Sequence, residues 1–369
     1  MKEKNKLVVT LISILMGLIF GAIILLIGGF NPIEAYTVMI KGVFSKPKYI
    51  SWTIIRSTPI ILTGISVAFA FKTGLFNIGA EGQFIMGTIF ATMAGYFLKL
   101  PPVLHIIVAI LIGVLAGAIW GGIVGVLKAK FGVHEVISSI MLNWIALYLN
   151  NYFLTLSSFR RPNSDSSFKI LDTAKINILG EWKLSESGRE FLANKEILKD
   201  ILNPPINYGF ILAILTAIGV WYILKNTTLG YQLKAVGYNR DAAEYGGINI
   251  DKNIVLSLAI AGAISGLAGA TQVLGVEHQV GILAATQGYG FDGIGVSLIA
   301  ANNPIATIPA GLLFGALQYG GGKLNSAIKA PSEIIDITIG IIIFFVAMPK
   351  LINIITSIFK GKKRGENID

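Results

Sequence analysis

The chain contains no cysteine, which removes disulfide staples, thiolate nucleophiles and cysteine metal sites from consideration. Charge is scarce: 14% of its 369 residues are Asp, Glu, Lys or Arg, against roughly a quarter in an ordinary soluble domain. Histidine is scarcer still, with 3 in the whole chain, and no paired His or carboxylate arrangement at ligand spacing points to a metal site or an embedded enzyme. His134-Glu135 opens like a zinc-protease motif, but Ser138 stands where the second His belongs. Gly288, Gly290 and Gly293 spell G-x-G-x-x-G without the strand that a dinucleotide fold requires. Gly320-Gly321-Gly322-Lys323 lacks a phosphate loop's other residues, since Leu317 and Leu324 occupy the positions of its first Gly and its Ser or Thr. No nucleotide or other cofactor is expected on this chain.

Apolar sequence is what the chain has in excess. Hydrophobic residues make up 54%, the mean hydropathy is +0.70, and several runs reach the roughly 20 residues that a helix needs to cross a bilayer. They are rich in Leu, Ile, Ala and Gly rather than alternating, so helices, not barrel strands, are the spanning elements. The expected fold is an all-α polytopic membrane protein, a single transmembrane domain over residues 1–369 with about ten crossings. Spans are expected at or near residues 7–27, 52–71, 84–98, 103–127, 136–156, 208–224, 254–274, 305–319 and 334–348. A net charge of +10 has a simpler use here than binding nucleic acid, because Lys and Arg flank spans on the cytoplasmic side. Lys2, Lys4 and Lys6 ahead of the first run, and Lys360, Lys362, Lys363 and Arg364 after the last, put both termini in the cytoplasm. The first run is expected to be retained, for no small-x-small cleavage pattern follows it. Residues 31–51 are expected outside as a connecting segment, Lys128, Lys130 and His134 as a basic cytoplasmic turn, residues 157–207 as a polar extracytoplasmic insertion, and residues 226–252 as a cytoplasmic loop.

Three polar stretches interrupt this pattern. Residues 74–87, GLFNIGAEGQFIMG, place Asn77, Glu81 and Gln83 among glycines between two apolar runs. A carboxylate and two amides there are costly unless they face protein, water or a solute, so the stretch reads either as a break lining a route through the protein or as an ordinary polar turn. In residues 225–251, Asn239 is placed to cap a helix over residues 240–245 that Gly246-Gly247 ends; such a helix suits docking on a partner or is merely solvated. Residues 275–304 carry Glu277, His278, Gln287, Tyr289 and Asp292, then an apolar piece too short to span, then Asn302-Asn303-Pro304. Interrupted segments in corresponding places of two pseudo-repeated halves are the sequence pointer to a central binding site. Asn143, inside an apolar run, is expected to hydrogen-bond a neighbouring helix.

Three passages carry a resemblance: residues 74–83 as GLFNIGAEGQ, 235–248 as AVGYNRDAAEYGGI, and 288–304 as GYGFDGIGVSLIAANNP. With them the chain, from about Ile50 to Pro349, resembles the permease subunits of ATP-binding-cassette importers of the branched-chain amino acid and simple-sugar superfamily, and most of all those that take up nucleosides. The resemblance implies a translocation subunit that is not an enzyme and sits in the bacterial cell membrane. It implies a second, non-identical permease, a cytoplasmic ATPase that binds ATP, and an extracytoplasmic substrate-binding lipoprotein. It also implies a coupling element for the ATPase in the capped helix after Val236, here Gly237, Asn239, Arg240, Ala242, Ala243, Tyr245 and Gly247, and a solute path near residues 74–83 and 291–303; on that path Phe76, Asn77, Glu81, Gln83, Tyr289, Phe291, Asp292 and Asn302 are the side chains that we assign to solute from their chemistry. For Glu81 and Asp292 a helix-capping or interhelical role is the equal alternative. A ribose or other simple-sugar permease is the alternative substrate reading, and an ion-coupled transporter acting alone, with Glu81, Glu277, His278 and Asp292 as titrating groups, is the alternative mechanism.

Overall fold

A computed structural model describes residues 3–348, so Lys2 and the basic tail at Lys360, Lys362, Lys363 and Arg364 lie outside the described residues. In chain order the helices are α1 (Glu3–Ile27), α2 (Pro32–Phe44), α3 (Pro47–Phe71), α4 (Ala80–Phe97), α5 (Pro102–Phe131), α6 (Glu135–Phe153), α7 (Glu186–Ala193) and α8 (Glu196–Leu202). They continue as α9 (Gly209–Asn226), α10 (Thr228–Tyr238), α11 (Arg240–Tyr245), α12 (Ile250–Gln272), α13 (Tyr289–Ile299), α14 (Thr307–Ile328) and α15 (Ser332–Ala347). No strand occurs among the described residues, only isolated bridges, as expected of an all-α chain. Helices α3, α5 and α9, and α12 with its π-helical extension to Glu277, have the length and apolarity to cross a membrane, and α1 with α2 adds a fifth candidate as a bent pair.

The described residues divide into two compact units, one of residues 3–49 and 316–348 and one of residues 50–315. In the first, α1 lies along α15, with Phe20 stacked on Phe345 at 4.7 Å. A core of Leu25, Ala35, Met39, Leu324, Ile335 and Ile339 closes it. The apolar part of α1 turns by 116° into α2, with Gly29 at φ +83° and the Asn31 side chain accepting the Ile33 N–H at 3.0 Å. Residues 31–51, expected to be a connecting segment, are thus helical. Pro32 and Pro47 each stand first in a helix, where the missing N–H costs nothing, and Ala35, Met39 and Val43 recur every four residues on the buried face of α2.

The second unit is built on α4, α5 and α12. Gly113, Gly117 and Gly121 line the buried face of α5, while Leu104, Ile107, Leu111, Leu115 and Ile119 are exposed on its other side, as a helix between protein and lipid requires. Small residues let helix backbones touch: a Cβ on Gly117 would lie 2.3 Å from the Gly262 carbonyl of α12, and one on Gly262 would lie 2.2 Å from the Gly117 carbonyl. Helix α5 runs to Phe131, so Lys128 and Lys130 belong to its last turn and not to a loop as expected. Lys128 pairs with Glu135 at 2.6 Å, and the chain turns only at Gly132, φ +66°.

The insertion is less solvated than its composition suggested. Phe159, Ile170, Ala174 and Ile176 are buried against Ala91, Ala109 and Val273, and the backbone is stitched to the segment after α12 by Ile176 N–H to Leu274 O (3.1 Å), Ile170 N–H to His278 O (2.9 Å) and Ser167 N–H to Val280 O (2.8 Å). The charged residues fall mainly on α7, α8 and the turns around them.

Candidate translocation and coupling sites

The first break is real: α3 ends at Phe71, α4 starts at Ala80, and the residues between form turns. Helix α4 has no side-chain cap of its own, because Gly79 stands at the cap position. Asn143 of α6 supplies one from outside: its Oδ1 accepts the Gly82 N–H at 2.8 Å, and its Nδ2 donates to Ile78 O at 3.1 Å. The expected role of Asn143 in binding a neighbouring helix is thereby observed.

Glu81, fully buried, ties the first polar stretch to the third. One carboxylate oxygen accepts the Gly288 N–H at 2.8 Å and the other the Gly290 N–H at 2.6 Å. Gly288 is at φ +88° and has no side chain with which to cap α13, so the carboxylate takes the unpaired N–H groups and faces the positive end of the helix dipole. Gly290 is needed for closeness: a Cβ there would lie 2.2 Å from the Glu81 nitrogen. Of the two roles open to Glu81, the geometry displays the capping and interhelical one.

Asn77 and Gln83 bond each other twice, Asn77 Nδ2 to Gln83 Oε1 at 2.9 Å and Gln83 Nε2 to Asn77 Oδ1 at 3.0 Å. Asn77 also donates to Ser66 Oγ at 3.1 Å, which accepts from Ser265 at 2.8 Å and donates to Ala261 O at 2.6 Å. Thr63 donates to Tyr289 O at 2.8 Å, and the Tyr289 ring lies 5.0 Å from that of Phe84. The structure therefore brings Asn77, Glu81, Gln83 and Tyr289 together, the first three buried with internal partners. Phe76 is half-buried beside Phe71, ring centroids 5.2 Å apart. Phe291 is 43% exposed and Asp292 partly so. Asn302 stands beyond the C-terminus of α13, where its Oδ1 accepts the Ser297 hydroxyl at 2.8 Å. Thr63, Ser66 and Ser265 escaped the reading of the sequence, because single hydroxyls in apolar helices ordinarily bond their own preceding turn.

The second stretch folds as its residues indicated. Asn239 Oδ1 accepts the Ala242 N–H at 3.0 Å to start α11, and Gly247, at φ +78°, follows its end. Ala243 is the buried residue of α11, at 5% exposure, whereas Tyr238 and Tyr245 are 90% and 97% exposed. Helix α10, directly before it, was not foreseen. Its Gly237 abuts the turn that opens the first break, since a Cβ at Gly237 would lie 2.3 Å from Lys72 O, and Gly74, at φ +70°, faces Gly237 from the other side of that turn. The exposed helix α11 is therefore continuous with a helix seated on the broken segment.

A family model described as branched-chain amino acid transport system, permease component, matches residues 49–347. The chain is 38% identical over 366 residues, 99% of each chain, to the guanosine ABC transporter permease protein NupP of Bacillus subtilis. It is 36% identical over 367 residues, 99% of this chain and 97% of the other, to the nucleoside ABC transporter permease protein NupB of Lactococcus lactis. It is 28% identical over 340 residues, 90% of this chain and 85% of the other, to the glucose ABC transporter permease protein TsgB13 of Haloferax volcanii. No solved structure gives a significant match. With two breaks joined by one buried carboxylate, an exposed capped helix seated on the first of them, and a family match over most of its length, this chain belongs to the permease components of the branched-chain amino acid transport family.

Proposed function

We propose that this permease subunit passes nucleosides inward through the second unit, driven by ATP hydrolysis on a separate cytoplasmic subunit, in company with a second, non-identical permease and an extracytoplasmic binding lipoprotein. The observation that carries the reading is mechanical continuity. The exposed helix α11 follows α10, α10 bears on the turn at Lys72, that turn leads into α4, and Glu81 at the start of α4 holds α13. A push on α11 from an ATPase has a short route to both broken segments, which is what alternating access needs. In this reading Asn239, Arg240, Ala242, Ala243, Tyr245 and Gly247 form the coupling element with Gly237 as its bearing. Asn77, Glu81 and Gln83 frame the path, and Phe76, Tyr289, Phe291, Asp292 and Asn302 offer stacking faces and hydrogen bonds to a base and ribose. Both termini are cytoplasmic, about ten crossings complete the fold, and the insertion lies outside.

Nucleosides are favoured over sugars because the two relatives matched over nearly their whole length carry nucleoside names, whereas the glucose permease is more distant. An ion-coupled transporter acting alone is disfavoured because the best buried titratable candidate, Glu81, is occupied by two backbone N–H groups. The deciding experiment is accumulation of radiolabelled guanosine and of glucose by vesicles containing this chain alone or with its genomic neighbours. Guanosine accumulation that needs the neighbours and ATP is expected. Accumulation by the chain alone from a proton or sodium gradient, without nucleotide, overturns the proposal.

A further inference from the structure

A cleft of about 510 Å³ opens beside the turn that follows α3, walled by Phe71 and Lys72 at the end of α3, Trp221, Leu224 and Lys225 of α9, Lys234, Gly237 and Tyr238 of α10, and the turn at Ala301, Asn303 and Pro304. Three ammonium groups share it and no carboxylate lines it. Among the described residues none of the ion pairs includes Lys72, Lys225 or Lys234. Burial first, and then the Lys234 ammonium, hold Lys72 below the usual lysine range.

Its depth is set by the chain itself. Lys72 follows the last residue of one candidate span, Pro47–Phe71, and Lys225 is the next-to-last residue of another, Gly209–Asn226. Trp221, one turn before Lys225, is 38% exposed and carries the Lys225 ammonium 4.9 Å over its ring. Cations and an indole at the ends of apolar helices mark the membrane interface, and basic pockets between helices at that depth match lipid phosphate. Phe71, Leu224 and Pro304 offer the acyl chain an apolar wall beside the charges.

We propose that this cleft binds the phosphate headgroup of an anionic phospholipid from the adjoining leaflet, and that the bound lipid neutralises Lys72, Lys225 and Lys234 at the seat of α10. The inference rests on the chain being a membrane permease and on nothing in the choice of solute. It predicts lipid selectivity in the purified full chain, which is measurable without transport.

The test places the full chain in nanodiscs of equal phosphatidylglycerol and phosphatidylcholine, releases it into the gas phase, and counts retained lipids by native mass spectrometry. At about fivefold per lysine near the surface, phosphatidylglycerol is expected to be retained over phosphatidylcholine by more than about tenfold. The Lys72→Gln/Lys234→Gln pair is expected to fall to about fivefold or less, while Lys72→Arg/Lys234→Arg keeps the wild-type ratio. Tryptophan fluorescence melts check folding, and if the glutamine pair melts early the single Lys225→Gln variant carries the same reading, a loss of about fivefold. Equal retention of both lipids by wild type, an unchanged ratio in the glutamine variants, or loss in the arginine pair overturns the proposal. So does displacement of phosphatidylglycerol by millimolar inorganic phosphate, which would make the ligand a free anion rather than a lipid.

Discussion

Glu81 shows how one side chain can be conspicuous in a sequence while its purpose is hidden. A carboxylate between apolar runs had to have partners, and that much follows from the cost of burying charge. The partners are the N–H groups of Gly288 and Gly290, 207 and 209 residues further on, and no local pattern announces a contact across that distance. Because the carboxylate is an internal cap, its removal affects folding as well as transport. Glu81→Ala leaves the buried Gly290 N–H and the part-buried Gly288 N–H without their acceptor, at about 1–3 kcal/mol for the buried one, so the purified variant should melt below wild type and reach the membrane in reduced amount. An unchanged melt accompanied by lost uptake would show that Glu81 meets the solute directly and is not needed as an internal cap. His278 offers a second residue-level test. Burial first, then the Lys175 and Lys169 ammoniums, draw its imidazole down to about 4, and the neutral ring donates from Nε2 to Asn177 Oδ1 at 2.7 Å. A lowered folded value means that the unfolded chain takes up the proton more readily. The stabilisation is therefore whole above the ordinary histidine value of about 6.5 and is lost as pH falls toward the folded value. The wild-type melt should drop more between pH 7 and pH 5 than that of His278→Gln, and parallel drops would show that this histidine is not the sensor.

Among the elements, the small residues spaced by four along α5, at Gly113, Gly117 and Gly121, signal close packing in the sequence, but spacing says neither which helix they meet nor which glycines touch it. The structure separates them. A Cβ on Gly262 would meet the Gly117 carbonyl at 2.2 Å, whereas one on Gly122 would find only the Ala259 methyl, at 3.8 Å. Gly262→Ala must push two helices apart and is expected to cost about 1–3 kcal/mol or more, while Gly122→Ala should be neutral or stabilising by up to about 1 kcal/mol through helix propensity. Melting both variants in detergent compares them directly, and equal melts would refute the assignment of contacts. Helix α2 was not expected, because its 13 residues and the four-residue recurrence of Ala35, Met39 and Val43 fall short of the length that marks a membrane span. The insertion was expected to be a polar loop from its mixed charges, and only the fold gathers Phe159, Ile170 and Ile176 onto one surface.

At the scale of the molecule, the proposed coupling depends on a bearing rather than a bond. Gly237→Ala leaves α11, its Asn239 cap and every exposed residue in place, yet the added methyl would lie 2.3 Å from Lys72 O and must shift α10 on the broken segment. ATP-dependent solute accumulation by the assembled transporter is expected to fall by at least about tenfold, the scale of 1.4 kcal/mol in a barrier, with membrane abundance near wild type. Full activity in this variant would detach α10 from the transmission route. Membrane residence, helical class, the two interruptions and the capped helix α11 were determined by the sequence, because hydropathy, glycine spacing and capping are local properties that no neighbour needs to complete. Tertiary structure alone decided that Glu81 grips α13, that Asn77 and Gln83 satisfy each other, that α10 rests on Lys72 and that three lysines share one cleft. Each of these is a meeting of residues distant in the chain, and the free energy of such a contact is set by approach distance and burial, which a linear pattern does not contain.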